Sequence, residues 1–316
     1  MIIDCHGHYT TAPAGLWDWR KLQLSHAVKS SSRPKISDQD IRDSLEGAQL
    51  KLQRERGSDL TFFSPRAGSM EHHVGDAAVS QAWSRECNDL IHRVCSLYPS
   101  NFAAVCQLPQ SPGVAPANCI LELERCVREL GFVGCNLNPD PSGGWWKEPP
   151  LTDKWWYPLY EKMIELDVPA MVHVSSSCNP AFHFTGAHYI NADTTAFMQC
   201  LTSDLFKDFP TLKFVIPHGG GAVPYHWGRY RGLAQDMKRP PLKELLLKVI
   251  PADNILFASE MVGAVRGIDP ETGQYYDDTK RYIDSIEWLS EVDRKKIFET
   301  NAKKVFNRYR PSSVVS

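Results

Sequence analysis

Two histidines stand two residues apart, His6 and His8, in the opening stretch MIIDCHGHYT. In a strand, residues i and i+2 face the same side, so both imidazoles point one way. Paired imidazoles aimed into one pocket suit a divalent cation such as Zn2+, for which neutral imidazole is a good ligand. An H-x-H pair is by itself a weak signal, more often structural than ligating. Three further residues change its weight. His173 lies in AMVHVS, His218 follows FVIP, and Glu260 ends LFASE. Each belongs to an apolar run of strand character, so four separated strands deliver a metal- or proton-competent side chain.

Other residues suit an anionic small molecule. Arg66, in SPRA, fits bidentate binding of a carboxylate. Arg229 in HWGR and Arg266 in GAVRG are further cations, with surface salt bridging as the competing role. Asn138 and the PSGG turn offer hydrogen-bond donors, although Asn-Pro and Gly-Gly are also plain turn chemistry. His72 and His73 are adjacent and cannot both face one site from a strand; His73 is the candidate. His188 and Tyr189 lie in TGAHYINAD, read as a lid or rim loop, and Tyr189 is the better placed. Trp145 and Trp146 either cover the mouth of a site or pack it.

The elements that must position these groups alternate between strand and helix. MIIDCHGH, SDLTFFSP, FAAVCQLP, FVGCNLNP, VPAMVHVS, LKFVIPHGGG and NILFASEM read as strands. Between them, 37–57 reads as one helix with Ser37 as N-cap, Asp40 in a capping-box-like position and Gly57 at its end. Further helical stretches are AVSQAWSRECNDLIHRVCSLYP, NCILELERCVRELG, WYPLYEKMIELD and TTAFMQCLTSDLFKDFP. Near-continuous apolar strands suit a parallel sheet covered on both faces. A doubly wound sheet lacks its main support, because no early G-x-G-x-x-G is present. His6, His8, Arg66, Asn136, Asn138, His173, His218 and Glu260 all fall at or just past strand C-termini. In a (β/α) barrel those ends converge on one mouth, where barrel active sites form. The expectation is therefore an α/β fold, a single metal-bearing barrel domain over 1–316. SHAVKSSSRPK reads as a polar rim loop and RPSSVVS as a frayed tail.

Composition excludes several classes. The chain has 316 residues, 42% hydrophobic and 23% charged, with net charge −2. That balance carries no electrostatic footprint for nucleic acid or an anionic membrane. No apolar run reaches the length of a membrane helix. The start MIID lacks the charged and apolar regions of a secretory leader, so the mature chain is expected to begin about there. The nine cysteines form no C-x-x-C pair and are expected to be reduced in a cytoplasmic protein, most as small buried hydrophobes.

The H-x-H on the first strand, a His on the fifth, a His on the sixth and an acid on the last resemble the amidohydrolase superfamily. Within it the chain is similar to the branch of metal-dependent decarboxylases and hydratases. ETNAKKVF resembles that branch's terminal helix. DCHGHYTTAP, RGSDLTFFSPRA, LNPDPSGG, FHFTGAHYINADTTAFMQC, IPHGGGAVPYHWGR and LFASEMVGAVRGIDPETGQYYDDTKRYI spread the likeness over nearly the whole chain. The Glu of ASE points to the hydratases, since most of the branch carries Asp there.

The resemblance implies a distorted (β/α)8 TIM-type barrel and one Zn2+ per chain held by His6, His8 and His173. Glu260 is then either the fourth ligand or the base beside it. The implied substrate is a small anionic tricarboxylate, unsaturated and keto-bearing, and the implied reaction adds water across its C=C bond in bacterial breakdown of aromatic acids. Glu260 is assigned the water's proton, and His218 or Tyr189 supports proton delivery to the neighbouring carbon. Homo-oligomer formation is left open. One departure concerns the interval from His218 to Glu260. The family carries a whole strand and helix there, whereas GRYRGLAQDM and PLKELLLKVI look helical with no strand between. The seventh βα unit is either lacking or lies in an omitted segment.

A decarboxylase of the same branch is the nearest rival, because the same metal and Arg groups would serve it. Amide or lactone hydrolysis is weaker, with no second-metal lysine identifiable. A catalytically inactive, metal-stabilised binding protein is disfavoured. Structural zinc sites are typically closed and Cys-rich, whereas these ligands are His-rich and distant in sequence.

Overall fold

Six strands form one parallel sheet in the order β1-β2-β3-β4-β5-β6. They are β1 Ile3–His8, β2 Leu60–Ser64, β3 Phe102–Gln107, β4 Gly134–Leu137, β5 Ala170–Val172 and β6 Phe214–Val215. The computed structural model describes residues 1–25, 32–182, 186–237, 251–263 and 267–311. Every residue of β1 to β5 is buried, as expected of parallel strands covered on both faces.

The helices follow the strands as βα units require. They are α1 Ala14–Leu24, α2 Asp38–Glu46, α3 Gln49–Glu55, α4 Ala77–Leu97, α5 Ile120–Glu124, α6 Tyr157–Leu166, α7 Ala187–Leu201, α8 Leu205–Asp208, α9 Trp227–Asp236, α10 Lys280–Asp284, α11 Glu291–Lys295 and α12 Asn301–Val305. One core lies between sheet and helices, with Trp83, Leu90 and Ile91 of α4 and Leu159, Tyr160 and Met163 of α6. A second lies inside the curve of the sheet, where Ile3, Cys5, Phe62 and Val105 meet Phe306. The Phe62 and Phe306 ring centroids are 4.0 Å apart, so the C-terminal segment packs on this second core. Full burial of each such side chain contributes about 1.5–3 kcal/mol.

The expected helix over 37–57 is two helices. Ser37 and Asp40 form the capping box at its start, but the chain breaks at Ala48, with φ −129 and ψ −100. Gly47 propagates a helix poorly, and the break turns α3 onto the sheet. Gln49 then donates to the His8 carbonyl at 3.4 Å, and Gln53 to the Asn101 carbonyl at 2.9 Å.

NILFASEM, expected as a strand, joins no ladder. It lies along the other edge of β1. The Cys5 N–H donates to the Phe257 carbonyl at 2.9 Å, and the Glu260 N–H to the His6 carbonyl at 3.0 Å. Among the described residues no strand pairs with the outer edge of β6. PLKELLLKVI, most of SHAVKSSSRPK and the end of the tail lie outside the described residues. No described helix is long and apolar enough to cross a membrane.

Candidate active site

β1 carries His6 and His8 with an irregularity between them and Asp4. The register against β2 shifts between Asp4 and Gly7, a bulge of the kind that re-aims side chains beside active sites. Gly7 lets β1 approach β2 closely, since a Cβ there would sit 2.3 Å from Thr61 Cγ2. The two imidazoles converge, with His6 Nε2 at 2.8 Å from His8 Nε2. His173, one residue past β5, brings its Nε2 to 3.3 Å from His8 Nε2. Glu260 Oε1 lies 4.0 Å from His8 Nε2. One ligand atom from each of His6, His8, His173 and Glu260 falls within 4.8 Å of the others.

The far sides of two rings are anchored. His173 Nδ1 is 2.7 Å from the Val174 carbonyl, which only accepts, so its proton sits on Nδ1 and a lone pair on Nε2. His8 Nδ1 is 2.7 Å from Ser64 Oγ, which itself donates to the Pro65 carbonyl at 3.0 Å. Burial, reinforced by the neighbouring imidazoles, pushes His8 and His173 down to about 3 and His6 well below its usual range. The three rings are therefore neutral, with lone pairs crowded together. That arrangement is unfavourable unless a cation lies among them. Three imidazoles, two of them oriented by partners behind the ring, and one carboxylate form a donor set that fits a divalent ion.

His218 stands beside this cluster in a one-turn 3-10 segment, His218–Gly220. Its Nε2 is 3.4 Å from Glu260 Oε2, and its Nδ1 is 2.6 Å from Asp193 Oδ2. Burial alone would lower its pKa, but the Asp193 and Glu260 carboxylates outweigh it and raise it to about 9. His218 and Glu260 both hold left-handed backbone, with φ 49 and 51. Non-glycine residues hold that conformation only when their surroundings impose it, and such residues cluster at functional sites.

His188 and Tyr189 are not on a loop: they lie in the first turn of α7. The Tyr189 ring centroid is 5.7 Å from that of His173 and 6.1 Å from that of His218. Burial raises the pKa of its hydroxyl, which keeps the proton available for donation.

The proposed substrate-binding residues are placed unevenly. Arg66 is exposed at the start of the turn after β2, and its charge acts on both His8 and Tyr189. His73 is half-buried, and its Nδ1, fully buried, has no hydrogen-bond partner. Asn138 is engaged within the fold: it donates to His72 Nδ1 at 2.9 Å and accepts from the Asp140 N–H at 2.9 Å. Arg229 is exposed on α9, and Arg266 lies outside the described residues. Trp145 is half exposed.

Sequence reasoning missed Asp4, Ser64 and Asp193. Reading TGAHYINAD as a helix would have placed Asp193 on the face of Tyr189, one turn on.

Comparison with known proteins adds an independent line. An amidohydrolase family model matches residues 3–308. The chain is 58% identical over 331 residues to 2-keto-4-carboxy-3-hexenedioate hydratase of Sphingobium sp., covering 98% of this chain and 96% of that protein. It is 26% identical over 299 residues to gamma-resorcylate decarboxylase of Polaromonas sp., covering 86% and 89%. The crystal structure of 4-oxalomesaconate hydratase from Rhodopseudomonas palustris superposes with a TM-score of 0.87 at 57% identity, covering 98% of this chain and 96% of that one.

Proposed function

The chain belongs to the amidohydrolase family, and on that premise we propose that it is a hydro-lyase adding water to 4-oxalomesaconate, the tricarboxylate also described as 2-keto-4-carboxy-3-hexenedioate. The product is 4-carboxy-4-hydroxy-2-oxoadipate, an intermediate in aromatic acid breakdown. The observation that carries this reading is Glu260, which faces the histidine cluster with one oxygen and His218 with the other. The identity of 58% to a hydratase, against 26% to a decarboxylase, favours hydration over loss of CO2.

The substrate name specifies the electronics. A keto group at C2 is conjugated with C3=C4, so water adds its oxygen at C4 and charge develops on the C2 oxygen. His6, His8, His173 and Glu260 are the residues that would hold the divalent ion, which we take to be Zn2+. When bound, such an ion supplies Lewis acidity and activates water near neutral pH. Glu260 receives the proton that the attacking water loses, within reach of a carboxylate general base. The proton required at C3 comes from Tyr189 or the protonated His218, which stand beside the histidine cluster. Arg66 and His73 offer charge and an unmet nitrogen to the substrate carboxylates, with Arg229 and Arg266 as further cations. Asn138 supports His72 rather than reaching the substrate. Residues 1–316 act as one catalytic domain, and free thiols, most of them buried, suit a reducing cytoplasm.

The test is to mix the protein with 4-oxalomesaconate and follow the conjugated chromophore, with and without chelator, while assaying CO2. Chelator-sensitive loss of absorbance without CO2 is expected, restored by Zn2+. CO2 release would establish the decarboxylase instead, and no chelator-sensitive change would sink both.

A further inference from the structure

Asp193 is a buried carboxylate to which the reaction above assigns no task. It lies on α7, four residues after Tyr189, and is 1% exposed. Its Oδ2 sits 2.6 Å from His218 Nδ1, and the opposite ring nitrogen is 3.4 Å from Glu260 Oε2. The three side chains thus form one line from α7 to the segment that carries Glu260. A carboxylate at Nδ1 keeps a proton there and fixes the plane of the ring.

The backbone under His218 needs such support. Its φ of 49 is a left-handed conformation that a non-glycine residue holds only when its surroundings impose it. Gly220 and Gly221 let the turn settle against α7. A Cβ on Gly220 would lie 2.9 Å from Phe197 Cε1, and one on Gly221 2.7 Å from the Thr194 backbone nitrogen. The Ala222 N–H donates to Thr194 Oγ1 at 2.9 Å. Phe197 and Thr194 belong to the helix that carries Asp193, so turn, helix and ring are held as one unit.

We propose that Asp193 is a positioning residue: it holds the His218 ring so that Nε2 faces Glu260, and it acts on the reaction only through that ring. The assignment rests on the hydratase reading of the site.

Asp193→Ala and Asp193→Asn, loaded with Zn2+, are compared with the wild type for kcat and KM on 4-oxalomesaconate, metal per chain and thermal melting. The downfield proton NMR signal of a carboxylate-bonded imidazole N–H is recorded as well. Asp193→Ala should lower kcat about 10²-fold, with KM within about threefold, metal content at the wild-type value and melting lowered by no more than a few degrees. Asp193→Asn, which keeps an oxygen facing Nδ1, should recover part of the loss. The downfield signal should be present in the wild type and absent in Asp193→Ala. Unchanged kcat in Asp193→Ala would overturn the proposal. So would an equal fall of kcat, metal content and melting in both variants, which would make Asp193 a structural pin. Wild-type inactivity on this substrate would overturn the hydratase reading, and the NMR signal would then decide the Asp193–His218 contact by itself.

Discussion

Asp4 Oδ1 accepts the backbone N–H of Ser259 at 3.0 Å and that of His6 at 3.1 Å. One fully buried carboxylate therefore ties the strand that carries two histidines to the segment that carries Glu260, across nearly the whole chain. The Ser259 hydroxyl bonds the other oxygen of the same group. Asp4→Ala leaves these donors without their acceptor, and a buried unmade bond costs about 1–3 kcal/mol. Denaturant unfolding should show a loss of about 3 kcal/mol. Metal titration should show affinity about 10–100-fold weaker, the usual consequence of removing a group behind the ligands. Asp4→Asn, which keeps one acceptor oxygen, should fall between.

Glu260 is placed to serve as ligand and as base, and one substitution separates the two. Glu260→Gln keeps an oxygen for the metal but does not take up a proton. Metal analysis should find about one ion per chain, while kcat falls at least about 10²-fold. Loss of the ion together with activity would assign Glu260 to binding instead.

Gly7 tests the spacing of the histidine pair. A Cβ there would meet Thr61 Cγ2 at 2.3 Å and the Phe62 carbonyl at 3.3 Å. Gly7→Ala should destabilise by about 1–3 kcal/mol, the usual range for overpacking, and should weaken metal binding by moving His6 and His8. Adding Thr61→Ser removes the nearer atom, and the double variant should recover part of the stability in urea unfolding.

His72 predicts an acid sensitivity outside the metal cluster. Burial, opposed by its bond to the Leu108 carbonyl, pushes its pKa down to about 3. The unfolded chain binds a proton at this residue below about pH 6.5, whereas the folded chain does so only near 3. Stability from the neutral ring is thus complete above 6.5 and is lost as pH falls toward 3, by about 1.4 kcal/mol per pH unit within that window. His72→Gln removes this term. Urea unfolding at pH 7, 6 and 5 should show the wild type losing its advantage over the variant as pH falls.

Much of the site was legible because its signals are local. The i, i+2 spacing put His6 and His8 on one side of a strand, and apolar runs ahead of His173 and His218 marked strand ends. Ser37 and Asp40 announced a helix start by direct hydrogen bonding over three residues. The misreadings occurred where tertiary packing overrides local pattern. TGAHYINAD carries Gly, Asn and Asp, which favour loops, yet α7 forms because its face packs on the His218 turn. LFASE looks like a strand but meets β1 through two backbone bonds and joins no ladder.

The sequence alone determined which chemistry was available: a histidine pair on one strand, a third histidine and a glutamate on other segments, in an order and with flanking residues that mark the amidohydrolase family. Only the tertiary structure decided which atoms meet. His8 and His173 are 165 residues apart in sequence and 3.3 Å apart in space, a distance set by the register and curvature of the sheet. Likewise, nothing near Asp193 in the chain indicates that its carboxylate serves a histidine 25 residues later. Residue type and short-range periodicity are written locally, whereas a contact between distant segments follows from how all the intervening elements pack.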